Sequence, residues 1–144
     1  MKVERAERAR NETQDLTKPI RVALNRMPGV RMARNNTGAL RWEPKGKMVT
    51  DKSPMLRYGL GLGAADLVGI VTMPVYLDVT PNTRELRHFG RVFCLEVKWA
   101  GKVPTEDQIV WLRVVRSLGG FACVVTSIDD AVFAVARCRL GESE

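Results

Sequence analysis

The sequence predicts an α/β domain with a mixed central β-sheet flanked by helices. Three stretches point that way. Residues 91–98 alternate as a strand, residues 105–118 carry helix signals, and residues 121–126 form a second strand-like run. A strand, a helix and a strand in that order suggest a parallel crossover. A chain of 144 residues, 45% of them hydrophobic, suits a single domain over residues 1–144.

Leu16, Ile20, Ala23, Leu24 and Met27 recur at helical spacing within residues 12–27, and Pro28-Gly29 supplies a stop. Pro19 either lies in the first turn of a helix starting near Thr17 or kinks a longer one, and the placement of Glu12 depends on which. Val30 to Ala33 reads as a short strand, and Asn35-Asn36-Thr37-Gly38 as a turn. Between Arg31 and Arg57 seven basic residues face two acidic ones, with Pro44, Gly46 and Pro54 as breakers. Residues 39–58 are therefore expected to be a basic, mobile loop facing phosphates. Its candidate nucleic-acid contacts, with those just before it, are Arg31, Arg34, Asn36, Arg41, Lys45, Lys47, Lys52 and Arg57.

Gly59, Gly61 and Gly63 lead into the apolar run 65–71, a buried strand opened by Asp66. Val75 to Val79 reads as a second strand, followed by a turn at Pro81-Asn82-Thr83 and a charged connection, with His88 in it, to Gly90. On residues 91–98, alternation places Phe93, Leu95 and Val97 on one face and Val92, Cys94, Glu96 and Lys98 on the other. Thr105 opens a helix to about Leu118, ended by Gly119-Gly120. Asp129 is expected to cap a last amphipathic segment, helix or strand, to about Arg139, and residues 1–11 and 141–144 are expected to fray.

Composition narrows the function classes. Twenty-three Lys and Arg against sixteen Asp and Glu give a charge of +7, which either attracts a polyanion such as DNA or only solubilises the surface. Three widely spaced cysteines, Cys94, Cys123 and Cys138, suggest neither a disulfide framework nor a zinc site. A single histidine excludes His-rich metal sites. The basic N-terminal residues precede no apolar stretch, so no secretory signal or membrane anchor is expected, and the cytoplasm is the expected compartment. Gly59-x-Gly61-x-x-Ala64 imitates a dinucleotide fingerprint but precedes its strand and opens no helix, so no nucleotide cofactor is expected.

Hydrolysis of a phosphodiester needs a divalent cation, held by converging carboxylates, and a lysine can stabilise the developing charge. Asp66 at a strand end, with Glu96 and Lys98 two apart on one strand face, meets that demand for Mg²⁺ or Mn²⁺, and the Val97 carbonyl adds a further metal ligand. Glu-x-Lys also occurs on solvated strand faces. Against that reading, both acids stand in apolar runs, where an unpaired charge costs several kcal/mol.

Glu12, Arg34-Asn35-Asn36-Thr37-Gly38, Gly63-Ala64-Ala65-Asp66-Leu67, Glu96-Val97-Lys98 and Gln108, in this order and spacing, resemble the virus-type replication-repair nuclease domain of the PD-(D/E)xK superfamily, in its stand-alone phage and bacterial form. The resemblance covers about residues 12–130, and Ala65 departs from the proline usual in that family. It implies a restriction-endonuclease-like core and a metal-dependent endonuclease acting on branched DNA, as Holliday-junction resolvases do, in repair or recombination and as a homodimer. It also implies that Asp66 and Glu96 bind the metal, with Glu12 a carboxylate beside it. Lys98 then activates water or stabilises charge, and Gln108 orients the site. Two alternatives stay open at the residue level. Glu12 could pair with Arg8 or Arg10 on a solvated helix, and Thr105-x-x-Gln108 is also a capping box. A non-catalytic DNA-binding module with the same fold is the rival function.

Overall fold

The computed structural model describes residues 16–41, 45, 47–48, 50 and 52–144. Helix α1 occupies residues 16–25. After it come β1 (Val30–Arg34), β2 (Gly38–Arg41), β3 (Met55–Tyr58), β4 (Leu67–Thr80), β5 (Thr83–Val97), α2 (Glu106–Ser117), β6 (Phe121–Val125) and α3 (Ile128–Arg139). The main sheet has the order β1-β4-β5-β6, and β2 pairs with β3 in a separate two-stranded ribbon. Pairing is antiparallel except between β5 and β6, where α2 carries the chain back to start a parallel strand. The domain is thus α/β with a mixed sheet, as its sequence predicts.

Alternation along β5 divides the interior. Phe93, Leu95 and Val97 join Ile20 and Leu24 of α1 and Ala131, Ala134 and Val135 of α3 in the larger core. The rings of Phe93 and Phe121 stack there at 5.1 Å. Cys94 points to the other face, under α2, with Ala65, Leu112 and Ala122. Two helices cover one side of the sheet and one covers the side on which Glu96 lies. Among the described residues no helix is long and apolar enough to cross a membrane.

Five expectations are corrected. Residues 75–79 are not a separate strand, and residues 83–90 are not a connection: both belong to one long hairpin, paired from Leu67↔Leu95 to Thr80↔Thr83, with His88 opposite Pro74. Pro74 is tolerated because of which edge it faces. The Thr72 N–H donates to Gly29 O at 2.7 Å, so alternate N–H groups of β4 point toward β1. That strand ends at the pair Val30↔Val71, so the N–H that proline lacks has no ladder partner to lose.

Residues 39–58 are not simply a loop, since Gly38–Arg41 pairs with Met55–Tyr58; the breakers Pro44, Gly46 and Pro54 fall between the paired segments. The last segment is a helix capped by Ser127, not Asp129: the Ser127 hydroxyl accepts from the Asp130 N–H, and Asp129 sits in the first turn. Residues 141–144 are tied down. The Ala122 N–H donates to Ser143 O, Arg91 donates to the carbonyls of Gly119, Gly120, Cys138 and Glu142, and Arg116 pairs with Glu144. Residues 1–11 lie outside the described ones.

Candidate active site

Asp66 lies one residue before β4. Its Oδ2 accepts a hydrogen bond from the Val97 N–H at 3.0 Å, which fixes the carboxylate against the end of β5. Consecutive residues of a strand direct their backbone groups to opposite edges. The Lys98 N–H goes to Val125 O on β6 at 2.9 Å, so the N–H and carbonyl of Val97 share the Asp66 side.

Glu96 is fully buried on the α2 side of β5. Its Oε1 accepts from Lys98 Nζ at 2.6 Å and from Gln108 Nε2 at 2.5 Å. Its Oε2 is buried with no hydrogen-bond partner. Gln108 makes the foreseen capping box as well, because its Oε1 accepts from the Thr105 N–H at 2.8 Å at the start of α2. The glycine run explains how α2 comes so near. Gly63 has φ +75°, and a Cβ there would fall 2.5 Å from the Asp107 backbone, so only glycine lets the loop before Asp66 lie against the first turn of the helix.

Burial pushes the Glu96 carboxyl up to about 7 from an ordinary 4.5; the negative charge of Asp66 adds to the rise and the Lys98 ammonium opposes it. Two neighbouring carboxylates, one with an oxygen lacking a donor, form a donor set of hard oxygens. That set fits Mg²⁺ or Mn²⁺, with the Val97 carbonyl on the same side.

Asp66, Glu96, Val97, Lys98 and Gln108 are therefore brought together. Glu12 lies outside the described residues, among which no cluster of three or more His, Cys, Asp and Glu side chains converges. Arg31, Arg34, Asn36, Arg41, Lys45, Lys47, Lys52 and Arg57 are all exposed, on β1, in the turn after it, on the β2–β3 ribbon and between its strands. Arg41 is also held by Ser53 O at 3.1 Å. Sequence reasoning gave no task to Asn35, whose side chain reaches the loop before Asp66. No family model, no curated protein and no solved structure matches the chain.

Proposed function

We propose that this chain is a divalent-metal-dependent DNA endonuclease with a restriction-endonuclease-like core of the PD-(D/E)xK kind. One observation carries the reading: Glu96 Oε2 is a buried carboxylate oxygen with no donor, next to a second carboxylate. Such an oxygen is costly to leave unpaired, and a cation shared with Asp66 would remove that cost. Asp66, Glu96 and the Val97 carbonyl are the ligands, and the Mg²⁺ or Mn²⁺ they hold supplies Lewis acidity at the scissile phosphate.

The remaining tasks belong to the chain itself. Lys98, anchored on Glu96 Oε1, keeps a cationic donor at the site for the charge that develops on the phosphate. Gln108 fixes the Glu96 carboxylate from the α2 side. Exposed Arg31, Arg34, Arg41 and Arg57 on β1 and the ribbon, with Lys45, Lys47 and Lys52, contact backbone phosphates. Branched DNA is the proposed substrate and a homodimer the proposed state, since a junction with two equivalent scissile strands suits a two-fold enzyme. A monomeric mass with and without junction DNA would refute the dimer.

The test is a cleavage assay on labelled linear, flap and four-way junction DNA in Mg²⁺, Mn²⁺ or EDTA, with Asp66→Asn and Lys98→Ala alongside. Metal-dependent cleavage by the parent, reduced about 10²- to 10³-fold in each variant, is expected. Absence of cleavage in every metal, with salt-dependent DNA binding retained, would leave the non-catalytic binding module instead. The two tasks of Gln108 are separable in the same assay. Thr105→Ala removes only a cap, so it costs about 1 kcal/mol in a urea melt and leaves the cleavage rate near that of the parent. Gln108→Ala lowers both.

A further inference from the structure

Asn35 stands between β1 and the basic ribbon and makes three hydrogen bonds, two of them to the peptide groups on either side of the Asp66 Cα. The Asn35 N–H donates to Asp66 O at 2.8 Å, continuing the β1–β4 register one residue past its last pair, Arg34↔Leu67. The Asn35 side chain donates from Nδ2 to Ala65 O at 3.1 Å and accepts at Oδ1 from the Leu60 N–H at 3.3 Å. The carbonyls of Ala65 and Asp66 belong to the two peptide groups that flank the Asp66 Cα. Both are held by this one residue, so the direction in which the carboxylate leaves the chain is set by Asn35.

We propose that Asn35 is a positioning residue for the metal-binding aspartate, a role that rests on the metal-site reading above. The chemistry asks for an amide at this position. It must donate to one backbone carbonyl while accepting from a backbone N–H 25 residues along the chain, and a carboxylate or a methyl group cannot do both. Mg²⁺ tolerates little departure from oxygen distances of about 2.0–2.1 Å, so freedom in the Asp66 backbone translates into lost affinity. Residues that orient a ligand without touching the metal typically contribute about 10- to 100-fold to affinity.

A matched control lies at the start of the same strand region. Asn25, at the end of α1, donates from Nδ2 to Met32 O at 3.0 Å and accepts from the Met32 N–H at 2.8 Å, which fixes β1 with the same amide chemistry but beside the buried core residue Met32. The experiment titrates metal-free protein with MnCl₂ by calorimetry, without DNA, and records a melting temperature for each of Asn35→Ala, Asn35→Ser and Asn25→Ala. The serine variant replaces the two-ended amide with one shorter hydroxyl, which cannot serve both Ala65 O and the Leu60 N–H, and provides a folded sample if the alanine variant fails.

The Asn35 variants are expected to bind Mn²⁺ about 10- to 100-fold more weakly. Asn25→Ala is expected to lose melting temperature at unchanged Mn²⁺ affinity. Affinity equal to that of the parent in folded Asn35 variants, or an equal loss in Asn25→Ala, would overturn the positioning role and leave the metal site standing. A parent that binds no Mn²⁺ would overturn both.

Discussion

Without divalent cations at about pH 8, the Glu96→Gln protein is expected to melt at a higher temperature than the parent while losing cleavage. The carboxyl of Glu96 is raised to about 7 in the folded chain against 4.5 for an ordinary glutamate. Between these values the folded state binds more proton than the unfolded one, so stability falls as pH rises through that window. The stabilisation is fully present below about 4.5 and gone above about 7, a change on the order of 3 kcal/mol. Glutamine carries no charge to desolvate, its oxygen can still accept from Lys98 and Gln108, and its amide can donate toward Asp66. Calorimetric melts from about pH 4 to 9 in EDTA would therefore slope downward for the parent and stay level for the variant. Added Mn²⁺ should raise the parent alone, in proportion to the logarithm of its concentration over the dissociation constant. A flat pH profile for the parent would sink this expectation.

Lys98→Ala is the converse case. The side chains of Lys98 and Glu96 are 20% and 1% exposed, so truncating the lysine strands a carboxylate in the interior. Breaking such a pair from one side typically costs about 3–5 kcal/mol, much of it the desolvation of the partner left behind. The loss should be larger at about pH 8 than at about pH 5, where Glu96 can take up a proton instead. It should shrink to a small residue when Glu96→Gln is already present. A double-mutant cycle in urea measures this directly: coupling of about 2–3 kcal/mol is expected, and simple additivity would show that the two charges do not depend on each other.

Much of this centre is legible in the sequence because it is written with a period of two. Once Phe93, Leu95 and Val97 are seen to face the core, Glu96 and Lys98 must share the other face, and the capping box marks Gln108 at the start of a helix, although only the fold shows that this helix covers the same face. The long hairpin was less legible. The charges between the turn at Pro81-Asn82-Thr83 and Gly90 read locally as a connection, whereas the exposure of the hairpin makes them acceptable in a strand and the free edge of β4 accepts Pro74. The helix cap shifted from Asp129 to Ser127 because both residue types serve there, and only the chain path chooses between them. Asn35 is legible only as part of a turn and of the Arg34–Gly38 stretch, with nothing to say what it touches. Its partners, Leu60 and Ala65, lie 25 and 30 residues away, beyond the reach of any pattern read along a window.

The single amide of Gln108 holds the Thr105 backbone with one end and the Glu96 carboxylate with the other. Helix termini open at lower free energy than the strands of a sheet. Gentle warming that unwinds only the first turn of α2 thus frees the carboxylate while the sheet is still intact. Activity should decline several degrees before the bulk transition and return on cooling, so the upper working temperature would be set by this turn before the sheet melts.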